Sequence, residues 1–256
     1  MNKASEQRRL SVGQVDVWCC ATDDPRLLAN MDRYLNMLSD EEKQEYEQRQ
    51  HAGQAEEYVA SRAFLRTVLA QYTGQEPEQL TFDSNDFGKP FLPAHSGSVS
   101  FNAAHTHGLT LCAVTSGCDI GVDVEFQTDS QGMLDAADDY LSPAEMAALR
   151  DVEEEGRLSV FFRSWTLKEA YLKARGKGLS IPLHDFSVLL DGLEVSRFDA
   201  DDAERWELRL LAQDEDFTAA IAVAGKIAEI KAFHCLPLVD ISELGQLAEL
   251  LPAAKS

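Results

Sequence analysis

Gly121-Val122-Asp123-Val124-Glu125, followed by Trp165-Thr166-Leu167-Lys168-Glu169-Ala170-Tyr171-Leu172-Lys173, is the stretch from which this chain is best read. The first segment predicts a short strand. Ile120, Val122, Val124 and Phe126 alternate with Gly121, Asp123 and Glu125, so the apolar side chains face one way and both carboxylates the other. Two carboxylates separated by two strand residues lie about 7 Å apart along the strand. That arrangement suits two oxygen ligands on one hard cation such as Mg²⁺.

The second segment predicts a helix from about Arg157 to Ala174, closed by Gly176 as its C-terminal cap. At helical spacing Leu158, Phe161, Phe162, Trp165 and Leu172 form one apolar stripe. Glu169 falls within that stripe, where an unpaired carboxylate is costly and calls for a cation or a metal. Lys173 lies one turn on, and a plain Glu169–Lys173 ion pair is the simplest alternative. With Asp123 and Glu125 in the same chain, the three acids read as a metal site.

The formal net charge of −21 excludes a general binder of nucleic acid or anionic membrane, both of which demand a basic surface. One stretch runs against that charge: Arg163, Lys168, Lys173, Arg175 and Lys177 accompany the single acid Glu169. It reads either as a local patch for an anionic partner or as cations gathered at a helix C-terminus. Cys19, Cys20, Cys112, Cys118 and Cys235 are odd in number and contain no C-x-x-C pair, so neither a disulfide framework nor a zinc site is implied. No apolar run follows Arg8-Arg9, and charges interrupt every apolar stretch short of a membrane span. The expectation is a cytoplasmic protein with reduced thiols.

Elsewhere the pattern predicts a strand at Val15–Cys20 and a helix capped by Ser39 with Glu42 in a capping box. A longer helix follows over Glu56–Tyr72. Strands are expected at Leu80–Asp83, Ser98–Asn102, Leu109–Thr115, Trp206–Leu211, Phe217–Val223 and Ile230–Cys235, with loops at 93–97 and 127–132. Ser142-Pro143 should open another helix, and a last helix is expected over about Asp240–Leu251. Ser39, Glu42, Ser61 and Leu69 recur at one constant spacing as Ser142, Glu145, Ser164 and Leu172. This weak repeat suggests two α+β halves, residues 1–116 and 117–256, with a ligand site between them.

The two opening motifs together resemble the signature of 4′-phosphopantetheinyl transferases, of the two-part, surfactin-synthetase-activating type rather than the shorter holo-carrier-protein synthase type. Ser61-Arg62, Gly88-Lys89-Pro90, Phe101-Asn102-Ala103-Ala104-His105 and Gly176-Lys177-Gly178-Leu179 match in the same order. The resemblance implies an α+β pseudodimer with the active site between its halves. It implies transfer of the phosphopantetheine arm of coenzyme A to a serine of an apo acyl or peptidyl carrier protein. By position, Asp123, Glu125 and Glu169 would hold Mg²⁺, with Glu169 as base and Lys173 on the phosphates. Arg62, Gly88, Lys89, Asn102 and His105 would bind coenzyme A. A monomer is expected, with neither nucleic acid nor membrane as partner. Read without the motif, Arg62 could snorkel over the core, Lys89 could belong to a plain turn, and His107 could replace His105. Ala104 stands where the family often has serine, and Ser84-Asn85-Asp86-Phe87 lacks a basic residue some relatives carry. The alternatives are another Mg²⁺-dependent nucleotide or diphosphate transferase, or a non-catalytic coenzyme A-binding protein.

Overall fold

A computed structural model describes residues 7–50, 55–93, 98–127 and 131–252. The expected loops at 93–97 and 127–132 fall largely on 94–97 and 128–130, outside the described residues. The chain opens with β1 (Gln14–Ala21), then α1 (Pro25–Leu28), α2 (Met31–Met37), α3 (Asp40–Arg49) and α4 (Ala55–Thr73). A small hairpin, β2 (Asp83–Ser84) and β3 (Pro90–Phe91), leads to β4 (Val99–Thr106), β5 (Leu109–Ser116) and β6 (Ile120–Phe126). Helices α5 (Gln131–Asp135), α6 (Pro143–Arg150) and α7 (Glu154–Arg175) follow. Then come β7 (Ser187–Asp191), β8 (Glu194–Asp199), β9 (Trp206–Gln213), β10 (Phe217–Ala224), β11 (Glu229–Leu236) and β12 (Asp240–Glu243).

Two mixed or antiparallel sheets result, ordered β12-β11-β1-β5-β4 and β6-β10-β9. Strand alternation builds the layers. Val15, Val17 and Cys19 of β1 meet Ile120, Val122 and Val124 of β6 and Ala219, Ile221 and Val223 of β10 in one core between the sheets. On the outer face of the first sheet, Trp18, Cys112, Val114 and Phe233 pack against Phe64, Val68 and Leu69 of α4. On the outer face of the second, Ala220 and Ala222 pack against Leu167, Ala170, Tyr171 and Ala174 of α7. The order is helix, sheet, sheet, helix. Side chains stitch β4 to β6: Asn102 Oδ1 accepts from the Val122 N–H at 2.9 Å and Thr106 Oγ1 from the Phe126 N–H at 3.2 Å.

Both expected N-terminal caps form. Ser39 and Ser142 accept from the N–H of Glu42 and Glu145, whose carboxylates return to the cap backbone. Such a cap contributes about 1 kcal/mol. Each of these glutamates is also held by a cation from the following long helix: Arg66 and Arg62 on Glu42, Lys168 on Glu145.

Four expectations need correction. The helix expected over Asp240–Leu251 is strand β12 followed by a single 3₁₀ turn at Leu247–Leu250, because the free edge of β11 takes the backbone hydrogen bonds of Asp240–Glu243. Of Leu80–Asp83 only Asp83 is in a strand, while Leu80 is a buried anchor. The hairpin β7–β8 was not anticipated, although its two-residue Gly192-Leu193 turn, glycine first, between two β-rich runs is a usual signal. Finally, the stripe read on α7 is buried but divided, with Leu172 on the sheet side and Phe161 and Phe162 elsewhere. Phe161 and Phe162 pack with Ala137, Leu141 and Leu149, whereas Leu167, Ala170, Tyr171 and Ala174 meet the sheet. A helix covered on two sides has no single apolar face for periodicity to find.

The chain also recrosses the boundary expected at residues 116 and 117. Strand β11 pairs in parallel with β1, Val15 opposite Ile230 and Trp18 opposite Phe233, so late residues complete the first sheet.

Candidate active site

Strand β6 and helix α7 carry the expected residues, and one glycine sets their distance. A Cβ on Gly121 would lie 2.0 Å from the Ala170 carbonyl oxygen and 2.3 Å from the Ala174 N. Only glycine lets the helix backbone settle on the strand there. The carboxylate face of β6 therefore turns towards α7, as the alternation required.

Lys173 Nζ donates to Asp123 Oδ1 at 2.5 Å, and the Asp123 side chain is buried. Among the described residues its second oxygen, Oδ2, is buried without a hydrogen-bond partner. Trp165 Nε1 donates to Glu125 Oε1 at 2.9 Å. Burial pushes the Glu125 carboxyl up to about 7, with the Asp123 charge adding to it. Burial and then Asp123 raise Glu169, and burial raises Asp123 against the pull of Lys173. For Lys173 burial acts downwards, but Asp123, Glu169 and Glu125 overcome it and hold the ammonium charged. Three carboxylates with raised affinity for protons beside one cation form a site short of positive charge.

Among the described residues, no group of three or more His, Cys, Asp or Glu is gathered closely enough to hold a metal ion by itself. The expected convergence of Asp123, Glu125 and Glu169 on one cation is therefore not made by side chains alone, since Lys173 occupies one oxygen of Asp123. The orphaned Oδ2 and the coupled carboxylates of Glu125 and Glu169 are hard oxygen donors of the kind a magnesium-type cation takes together with substrate ligands.

A cleft of about 280 Å³ opens beside Glu169 and Lys173, lined also by Gly88, Lys89 and Asn102. A second cavity of about 500 Å³ holds Arg62, Ser61, His105 and His107. Pro90 and Ala103 line both, so the two adjoin. Arg62, His105, Gly88, Lys89, Asn102, Glu169 and Lys173 thus line these adjoining cavities, whereas Asp123 and Glu125 line neither, Asp123 being buried behind Lys173.

Their roles differ in part from expectation. Arg62 does not merely snorkel: its guanidinium is bound to Glu42 at the cavity edge, with Nε at 2.7 Å from Oε1. His105 and His107 are both exposed and line the same cavity, and the His107 ring leans on Phe126 at 5.7 Å. Asn102 lines the cleft, yet its amide oxygen is committed to β6. Lys89 Nζ donates to the Ile120 and Ala174 carbonyls at 2.9 and 2.8 Å, so it does not present an unengaged ammonium to a phosphate. Ala104 is buried in the core between the sheets.

The basic run also reads differently. Lys168 is fully buried on Glu145, and Arg175 is bound to Asp202 and the Tyr171 hydroxyl. Arg163 is bound to Gln213 and the Gly192 carbonyl, leaving Lys177 exposed. The sequence reading gave no site role to Trp165, Glu42 or Asn85. Trp165 stands inside the second motif and could have been noticed there; the other two act through partners distant in sequence.

The sequence profile of the 4′-phosphopantetheinyl transferase superfamily matches residues 119–222, which span β6 to β10. The 4′-phosphopantetheinyl transferase HetI of Nostoc sp. is 37% identical over 180 residues, covering 69% of this chain and 74% of its own. A 4′-phosphopantetheinyl transferase of Bacillus subtilis is 31% identical over 203 residues, covering 79% of this chain and 89% of its own. The chain belongs to the 4′-phosphopantetheinyl transferase superfamily. A solved holo-(acyl-carrier-protein) synthase from Bacillus anthracis aligns with 42% of the chain and 96% of its own at 21% identity, with a TM-score of 0.38. The superfamily profile takes in Asp123, Glu125, Trp165, Glu169 and Lys173, the residues that face one another across β6 and α7.

Proposed function

We propose that this chain transfers the 4′-phosphopantetheine arm of coenzyme A to a serine of an apo acyl or peptidyl carrier protein. The observation that carries this reading is the buried, half-partnered Asp123 coupled to Glu125, Glu169 and Lys173, the last two of which line the narrow cleft. The serine hydroxyl oxygen bonds to the phosphorus that bears pantetheine. The bond from that phosphorus to the bridging oxygen breaks, and adenosine 3′,5′-bisphosphate leaves with the electron pair.

Each residue has a task in that step. Arg62 and His105 bind the nucleotide phosphates in the wide part of the groove, and Gly88 and Asn102 shape its narrow part. Glu169, with its raised affinity for a proton, accepts the proton of the serine hydroxyl. Lys173 stabilises charge on the pyrophosphate as it breaks. Asp123, Glu125 and Glu169 would hold Mg²⁺ together with substrate oxygens. When bound, the ion supplies neutralisation of the phosphate charge.

The matching capping boxes, each tied to a cation on a long helix that covers the outside of a sheet, support reading the fold as a pseudodimer of α+β halves. On that reading residues 1–116 and 117–256 are the halves, with β11 and β12 crossing back. Both halves lie in one chain, so the site needs no second copy and the enzyme works as a monomer in the cytoplasm. No helix among the described residues is long and apolar enough to cross a membrane.

Incubation with coenzyme A, Mg²⁺ and a panel of apo carrier proteins, read by intact mass, tests the proposal. One carrier should gain a phosphopantetheine arm. Coenzyme A binding with no mass gain on any carrier would overturn it.

A further inference from the structure

The carbonyls at the end of a helix have no partner within it, and a buried helix end must find them elsewhere. At the end of α7 the β2–β3 hairpin provides those partners. Lys89 Nζ donates to the Ala174 carbonyl at 2.8 Å and to the Ile120 carbonyl at 2.9 Å. Asn85 Nδ2 donates to the Gly176 carbonyl at 2.6 Å. Asn85 Oδ1 accepts from the N–H groups of Phe87 and Lys89 at 3.0 and 2.9 Å, so one turn aims both donors. The fit is close: a Cβ on Gly176 would lie 2.9 Å from both Asn85 Nδ2 and Lys89 Cδ.

The accepting residues lie together at one end of the acid site. Ile120 begins the strand that bears Asp123 and Glu125, and Ala174 follows Lys173 on the helix that bears Glu169. A cation at a helix C-terminus is also favoured by the macrodipole. Burial brings the Lys89 ammonium down to about 8, as expected of a group facing carbonyls rather than bulk water.

We infer that Lys89 and Asn85 are positioning residues that tie the acid-bearing strand to the acid-bearing helix, and that Lys89 is not a ligand of the coenzyme A phosphates. The inference rests on the transfer reading above. Loosening the tie lets Glu169 and Lys173 shift against Asp123 and Glu125, and a displacement of about 1 Å can cost on the order of a hundredfold in rate.

Lys89→Met and Asn85→Asp test this. The aspartate keeps the acceptor that shapes the turn, removes the donor to Gly176 and sets a carboxylate oxygen against that carbonyl. Transfer by intact mass, coenzyme A affinity by calorimetry and amide hydrogen exchange are measured on both variants and the parent. Both variants should lose about tenfold or more in kcat, keep coenzyme A Kd within about twofold, and exchange faster in β6 and the last turn of α7. A coenzyme A Kd weakened about tenfold or more in Lys89→Met, with Asn85→Asp normal and exchange unchanged, would overturn the assignment and make Lys89 a phosphate ligand. A parent protein that binds coenzyme A but transfers to no carrier would sink the functional reading instead. Exchange would then decide the tie alone: faster exchange supports it and unchanged exchange rejects it.

Discussion

At the scale of single residues, Asp123 concentrates the chemistry. Its Oδ1 holds Lys173, its Oδ2 has no hydrogen-bond partner among the described residues, and after burial its charge is the next cause that raises the proton affinity of both Glu125 and Glu169. Asp123→Asn removes a buried charge without changing shape. Transfer should fall about a hundredfold or more, while circular dichroism and the thermal midpoint show a folded protein. Near-normal turnover at saturating Mg²⁺ would remove Asp123 from the site. Glu125 gives a pH prediction. Its folded pKa of about 7 stands above the ordinary 4.5, so its contribution to stability is full below 4.5 and lost as pH rises through about 7. The thermal midpoint of metal-free protein should fall across that window. Added Mg²⁺ should raise the midpoint more above the window than below it, because protons and metal compete for the same carboxylates. A Mg²⁺ effect independent of pH would count against Glu125 as a ligand.

At the scale of elements, the contact of β6 with α7 depends on Gly121. Gly121→Ala forces a methyl against helix backbone, which cannot move aside as a side chain can. The expected cost is about 3 kcal/mol, at the upper end for overpacking, read by urea unfolding. A loss under about 0.5 kcal/mol would show that the elements separate easily. Lys168 holds α7 from its other side, with Nζ on Glu145 and within 4.9 Å of the Phe186 ring centroid. Lys168→Ala strands a buried carboxylate and should cost about 3–5 kcal/mol. If Glu145→Gln combined with Lys168→Met recovers most of that loss, the charge pair itself is dispensable. The sequence correctly marked β6, both capping boxes and the Gly176 end of α7. It marked one buried side of α7, with Phe161, Phe162 and Leu172, and missed the second, because Lys168 reads as a surface cation until its partner Glu145 is known.

At the scale of the whole molecule, the charge of −21 bears on the partner. An acidic carrier protein is repelled at long range, and most cations of the Arg163–Lys177 run are committed to internal partners. The Debye length is about 30 Å at 0.01 M salt and about 8 Å at 0.15 M. Carrier KM should therefore fall as salt rises from dilute to physiological, with coenzyme A KM changing less. A carrier KM that rises with salt would point to a strong local basic surface around Lys177.

What the sequence determined by itself was local: the alternation that puts Asp123 and Glu125 on one face, the caps at Ser39 and Ser142, and the helix bearing Glu169 and Lys173. Those features arise from residues within one turn or a few strand positions of each other, where short-range geometry leaves few options. The tertiary structure alone decided that β11 returns to lie parallel to β1, that Arg62 is held by Glu42, and that Lys89 ends on the carbonyls of Ile120 and Ala174. These partners are far apart in the chain. They meet only once the sheets have closed on their shared core, because a buried donor or charge takes whichever partner the assembled faces bring within reach.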